Sequence, residues 1–510
     1  MATVKQATSI DYSGDWRVDS LLSETLIDWN YLTPARDCLY FTFDLGSEIV
    51  EAAGSSQLSP FTGPQKNAAY QILTHAAELT GIRFIEITDP AVADLHFGTG
   101  NLLGADLAGL CRTSYAYTYT ANDILTGFSG DAFVFLDNQE FSRQTANPTP
   151  GSPGYECLLH EIGHALGLGH PFEGAYRLPA QYDNTANTVM SYTDRGGHYD
   201  QFRPFDRLAL DWIYGRDGLG GSYGFNSWNG PTLTPPEGYL EHRFTAANDE
   251  ILDGLGPEWL NGLGGRDTLI CPGELARYRI SHQGDAYYFV EDLQGWAGKD
   301  LIDGIEKISF SDYDINLTVQ SAARNMAPAD LMLLEELYLA FFNRTPDASG
   351  LEYWIGRQQS GTSLDAIADS FYAAGVEAGD LTGYHAGMTP ADFINKIYQN
   401  VLGRSEGADP QGLAYWSAAL AEGKASRGAL VKDILQSAHT FKADPDWGWV
   451  ADLLDNKAQL ANLLAVEMGL DYPSPEEAIR QGMAIAAAVS PDSIAPALAL
   501  IGIAPETLAL

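Results

Sequence analysis

His160-Glu-Ile-Gly-His164-Ala-Leu-Gly167-Leu-Gly-His170 is the stretch of this 510-residue chain that decides how the rest is read. At about 100° per residue, His160 and His164 stand roughly 40° apart on one helical face, so both imidazoles can reach one ion. Were the helix to continue, His170 would lie about 9 Å further along the axis than His164, far beyond a metal–nitrogen bond of about 2 Å. The chain therefore has to turn back. Gly167 is the residue able to do it, since a glycine just past a helix end takes the left-handed conformation without a Cβ penalty. The spacing H-E-x-x-H-x-x-G-x-x-H is that of zinc hydrolases. Three histidine ligands leave the fourth position of a tetrahedral zinc ion for water, and Glu161, next to a ligand, can face that water as general base.

Further along, Thr188-Val-Met-Ser-Tyr192 carries a methionine in a turn-like context, a feature found beneath the zinc of metzincins. On the zinc motif, the Pro171 that follows it and this Met-Ser-Tyr, the chain resembles the serralysins, the secreted bacterial metzincins. The resemblance implies an α+β catalytic domain with a mixed sheet, a zinc helix and a Met-turn. It implies that Met190 lies beneath the ion, and that Tyr192 is a zinc ligand at rest that swings to stabilise the oxyanion. Ile27-Asp-Trp-Asn30 and Tyr40-Phe-Thr-Phe43 are similar to the start of the mature domain and its first strand, and Phe205–Gly215 to its closing helix. Between them, Ala68, Ile72, Ala76 and Leu79 recur at helical spacing before a strand at Ile82–Ile87, and Gly130–Leu136 reads as an inner strand. Phe172-Glu173 departs from the Gly-Asp that the family usually has after His-Pro.

The length suggests three domains. With 29 basic and 67 acidic residues the net charge is −38, which argues against nucleic acid or an anionic membrane as partner because both would repel the chain. No apolar run reaches the roughly 18 residues that span a bilayer, and the residues after Met1 lack the apolar core of a signal peptide. The resemblance implies instead type I secretion through an uncleaved C-terminal signal, and Glu506-Thr-Leu-Ala-Leu510 has an acidic-then-apolar ending. Cys38, Cys111, Cys157 and Cys271 have no C-x-x-C spacing and leave three full pairings open. Ordinary burial is expected for Cys38.

After a Gly/Pro/Ser-rich link at 217–238, residues 236–325 repeat an acidic–x–apolar unit in Asp249–Gly254, Glu258–Gly262 and Gly265–Leu269. These resemble a worn RTX-type β-roll of calcium-binding nonapeptides, with Asp253, Asn261 and Asp267 as candidate calcium ligands and far fewer ions than usual. A plain β-sandwich with acidic turns is the competing reading. From 326 to 510 the periodicity becomes helical and repeats: Tyr338–Arg344 answers Tyr398–Arg404, and Asp347-Ala-Ser-Gly-Leu-Glu-Tyr-Trp354 answers Asp409-Pro-Gln-Gly-Leu-Ala-Tyr-Trp416. This all-α part resembles a bacterial helical module of unassigned function found on secreted and surface-layer proteins, which implies docking to a cell-surface component.

The expectation is thus a multidomain, secreted or cell-surface zinc endopeptidase: a protease domain at 1–235, a β-rich roll or sandwich at 236–325 and a helical repeat domain at 326–510. It would take Zn²⁺, with Ca²⁺ in the roll, and protein or peptide substrates. Residues 1–15 are expected as a short restraining propeptide. The alternative is a surface-binding or structural protein whose protease domain is latent or vestigial.

Overall fold

The computed structural model describes every residue except 1, 11, 23–27, 33–35, 47–55, 104–105, 221–240, 284–286, 503–507 and 510. Ile27, Ala105 at the start of the substrate-binding edge strand expected near Ala105–Cys111, the junction expected near 235 and most of the acidic-then-apolar ending lie outside the described residues. The chain has mixed α/β content, with several sheets and many helices, grouped into two compact units. The first comprises 1–242, 253–259 and 294–301; the second 243–252, 260–293 and 302–510. Two short stretches of the middle segment, expected within a β-rich domain, therefore belong to the first unit.

In the first unit the strands are β1 (Cys38–Thr42), β2 (Ser56–Ser59), β3 (Arg83–Glu86), β4 (Leu95–Asn101), β5 (Gly109–Tyr119) and β6 (Leu125–Asp137). They form a mixed sheet in the order β3-β1-β4-β6-β5, with β2 on β4; β5 runs antiparallel to β6 and ends the row. Three helices matter to the site: α1 (Gly63–Thr80), α2 (Pro153–Ala165) and α3 (Pro204–Tyr214). Helix α1 begins where Thr62 and Gln65 form a reciprocal capping box with proline in the first turn, and it stops at Gly81 in the left-handed conformation. Its Ala69, Ile72, Leu73 and Ala76 share one buried cluster with Leu39 and Phe41 of β1, Val134 and Leu136 of β6, and Leu158 and Ile162 of α2. Burying each large side chain there contributes about 1.5–3 kcal/mol, so the sheet is a rigid floor for α2.

The second unit contains short parallel strands at Glu250–Leu252, Thr268–Ile270 and Lys307–Ser309. Thr268 pairs with Glu250, an offset of 268 − 250 = 18 residues, or two units of nine. Its helices include α4 (Pro328–Phe342), α5 (Ala348–Gln359), α6 (Leu364–Glu377), α7 (Pro390–Asn400), α8 (Pro410–Ala421), α9 (Arg427–His439), α10 (Gly448–Asn462) and α11 (Pro475–Ala487). Among the described residues no helix is long and apolar enough to cross a membrane.

Candidate metal centre

Helix α2 is launched by Ser152, whose hydroxyl accepts from the Tyr155 amide, and by Pro153 in its first turn. It ends in a Schellman turn: the Gly167 amide donates to His164 O (2.9 Å) and the Leu168 amide to Gly163 O (2.9 Å), with Gly167 at φ 100°. The terminal carbonyls are also met from outside, Ala165 O by the Trp29 indole (2.8 Å) and Leu166 O by the Tyr214 hydroxyl (2.9 Å). A helix end held this firmly sends the chain back on itself, and His170 returns to the face that carries His160 and His164.

The three Nε2 atoms form a nearly equilateral triangle: 3.1 Å from His160 to His164, 3.1 Å from His164 to His170 and 3.2 Å from His160 to His170. In a tetrahedral zinc site with bonds of about 2.0–2.1 Å, the donors stand roughly 3.3–3.4 Å apart, so the triangle is a close fit to that ion. Each remaining ring nitrogen faces an oxygen. His160 Nδ1 is 2.8 Å from Val189 O, His164 Nδ1 is 2.7 Å from Leu168 O, and His170 Nδ1 is 3.2 Å from a Glu173 carboxylate oxygen. Donation at Nδ1 of His160 and His164 leaves the lone pair of their Nε2 atoms pointing into the triangle. Burial lowers His160 to about 4 and His164 to about 3, which keeps them in the neutral, ligating form.

Tyr192 and Glu161 complete the surroundings. The Tyr192 hydroxyl lies 3.0 Å from His170 Nε2, yet the residue is 68% exposed. Phe172 stacks on His170 with ring centroids 5.0 Å apart. The two residues that depart from the serralysin pattern thus both bear on His170, one by stacking and one through its carboxylate. Glu161 is buried, which pushes its carboxyl up to about 8 against a hydrogen bond from the Cys111 amide of β5. The backbone passes so close here that a Cβ on Gly109 would stand 2.7 Å from Cys157 Sγ and from Glu161 Oε1. Met190 is fully buried, and a Cβ on Gly163 would be 2.7 Å from its sulfur.

The edge strand expected near Ala105–Cys111 runs as β5, Gly109–Tyr119, whereas two parts of this site escape a reading of the sequence: the approach of Glu173 to His170, and Asp206. From α3, the buried Asp206 accepts from Thr188 Oγ1 (2.5 Å) and from the amides of Val189 (2.9 Å) and Arg203 (2.8 Å). It thereby fixes the turn before Met190. Its bond from the Arg203 amide is half of a capping box, but with arginine in place of a serine or threonine cap the sequence carries no such signature.

The sequence has relatives among known proteins. The chain is similar to a serralysin of Photorhabdus laumondii, 27% identical over 262 residues, covering 47% of this chain and 50% of that protein. A serralysin of Photorhabdus luminescens is 28% identical over 262 residues, covering 47% and 49%. The metalloprotease AprA of Pseudomonas entomophila is 26% identical over 200 residues, covering 34% and 39%. The likeness supports a serralysin-like family relationship. The chain spans about half the length of the first two of these relatives. Residues 381–443 match a family described as a domain of unknown function (DUF4214).

A second cluster lies in the first unit. Asp253, Glu258 and Asp300 are buried, each offering a carboxylate oxygen within 4.8 Å of the others. Arg83 donates to Glu258 Oε1 (2.9 Å) and the Glu258 amide to Asp300 Oδ1 (2.8 Å), while Glu258 Oε2 and Asp300 Oδ2 accept no hydrogen bond. Burial, then the neighbouring Asp253 and Glu258 charges, raise Asp300 well above the usual carboxylate range. The other two candidate calcium ligands lie in the second unit: Asn261 Oδ1 accepts from the Leu263 amide (3.0 Å) and Asp267 Oδ1 from the Asp249 amide (2.8 Å). Among the described residues Asp267 joins no cluster of three ligating side chains.

Proposed function

We propose that the protein is a zinc-dependent endopeptidase that hydrolyses peptide bonds of extracellular or surface proteins. The observation that carries this reading is the triangle of His160, His164 and His170 Nε2 atoms with the Tyr192 hydroxyl and the Glu161 carboxylate beside it. Zinc held there acts as a Lewis acid and lowers the pKa of a water molecule toward about 7. Glu161 takes a proton from the attacking water and passes it to the departing amine. Tyr192, exposed enough to move, donates to the oxyanion. The free edge of β5 offers main-chain groups to an extended substrate, and its Cys111 amide keeps Glu161 oriented.

Three further assignments rest on separate features. The Asp253–Glu258–Asp300 cluster holds a calcium ion, since three buried carboxylates lie close together and, among the described residues, Glu258 Oε2 and Asp300 Oδ2 have no hydrogen-bond partner. Residues 1–15 restrain the enzyme before activation: the Val4 amide donates to Asp123 O (2.9 Å) at the β5–β6 hairpin tip, and Tyr12 packs on Tyr176 (4.5 Å) beyond His170. Secretion by a type I route follows the serralysin resemblance.

The test is casein cleavage by the chain, with and without residues 1–15, beside its Glu161→Ala variant and in the presence of a zinc-selective chelator. Cleavage by the wild type that is lost in both the variant and the chelated sample supports the reading. Absence of cleavage from the truncated, zinc-loaded wild type would sink it.

A further inference from the structure

The second unit contains the same helical motif twice, and the two copies differ in one respect. In the first, Arg344 pairs with Asp347 (2.7 Å), and Asp347 accepts from the Gly350 amide (3.0 Å) at the start of α5. The space in front of this turn is filled by the chain itself. Asp471 accepts from the Ser349 amide (2.8 Å), the Thr345 amide donates to Gly482 O of α11 (3.2 Å), and Phe371 packs on both Tyr338 and Trp354 while Phe342 packs on Tyr338 and Phe371.

In the second copy Arg404 pairs with Asp409 (3.3 Å), Asp409 accepts from the Gly412 amide (2.8 Å), and the Trp416 indole donates to the Tyr398 hydroxyl (3.1 Å). Here Leu402 and Ile434 stand where the first copy has Phe342 and Phe371, offsets of 402 − 342 = 60 and 434 − 371 = 63 that match Arg404 − Arg344 = 60 and Ser426 − Ser363 = 63. The smaller side chains leave a cleft of about 650 Å³, a size typical of small-ligand sites.

The walls of that cleft have a definite chemistry. Tyr415 is 68% exposed, and Phe441 and Trp447 also present ring faces. The Arg404 guanidinium is stacked 4.1 Å over Trp447, so its donors are held in a fixed plane beside the Asp409 acceptor. Gln411 and Ser437 add an amide and a hydroxyl to the lining. Flat apolar faces interleaved with adjacent donor and acceptor groups suit a pyranose ring, whose C–H face lies on an aromatic plane while vicinal hydroxyls bridge a cation and a carboxylate. The Arg–Asp pair cancels locally and the chain as a whole carries −38, which disfavours an anionic ligand.

We propose that the cleft between α8, α9 and the start of α10 binds a neutral oligosaccharide. The first copy has the same frame but has closed its cleft with its own side chains.

The experiment is titration of the full-length chain with maltotriose, cellotriose and triacetylchitotriose, followed by tryptophan fluorescence and calorimetry. At least one trisaccharide is expected to bind, with affinity about tenfold weaker for Tyr415→Ala and weakened likewise for Gln411→Ala. Tyr353→Ala, the matching exposed tyrosine of the first copy (57% exposed), is expected to bind like the wild type. Binding of none of the three at concentrations of about 10 mM, equal loss in Tyr353→Ala, or binding of casein peptides that Tyr415→Ala weakens where no trisaccharide binds would overturn the proposal; the last would make the cleft a peptide dock.

Discussion

Two imidazoles of the triad are held at Nδ1 by backbone carbonyls, His160 by Val189 O and His164 by Leu168 O, and the Glu173 carboxylate lies near Nδ1 of the third, His170. That arrangement separates ligation from catalysis residue by residue. Tyr192→Phe removes a hydroxyl 3.0 Å from His170 Nε2 and no imidazole, so zinc content should be retained while kcat falls by about 10²-fold, the usual cost of losing one oxyanion donor. Steady-state kinetics beside metal analysis of the purified variant checks this. Zinc lost together with activity would make the phenol a ligand foremost. Glu173→Gln keeps an oxygen near His170 Nδ1 but removes its charge. A roughly 10-fold weaker zinc affinity is expected, at the lower end of such outer-partner effects, measured by competition with a chelator of known affinity.

Among the elements, the loop that carries Met190 and Tyr192 owes its shape to α3. Asp206 satisfies two buried donors from that loop and a part-buried one from the helix start. Asp206→Ala would strand them, at about 1–3 kcal/mol for each unsatisfied group. Thermal unfolding should therefore show a loss of roughly 3 kcal/mol or more. Thr188→Val, which removes one partner of the same carboxylate and the acceptor of the buried Met190 amide, should cost about 1–3 kcal/mol. Equal effects of the two variants would show that the loop is held by its own packing. Strand β5 reaches the site differently. It approaches so closely at Gly109 that Gly109→Ala forces Cys157 and Glu161 apart, and activity should fall with little change in zinc content.

For the whole molecule, calcium is expected to act as a stabiliser and zinc as the reactive centre. Adding calcium to chelator-treated protein should raise Tm, and Asp300→Asn or Glu258→Gln should abolish that rise while leaving zinc bound. An unchanged Tm on calcium addition would remove the ion from the cluster and leave Asp300 protonated, as its burial favours.

The zinc motif was legible because its ligands are local: two lie one helical turn apart, and the third follows a glycine whose backbone has few alternatives. Helix α1 and the internal repeat were legible for the same reason, as periodicities within one segment. The buried carboxylate cluster was only partly so. Asp253 was read from an acidic turn, but its companions Glu258 and Asp300 are assembled from stretches 42 residues apart (300 − 258), and no local pattern encodes that meeting. The edge strand over Glu161 and the anchoring of the Met190 loop by Asp206 are likewise products of packing, because hydrogen bonds between distant segments leave no periodic trace. The two helical repeats make the division plain: their shared frame is written in matching residues, whereas the closure of one cleft and the opening of the other depend on side-chain volume and on which distant segment folds back to fill it.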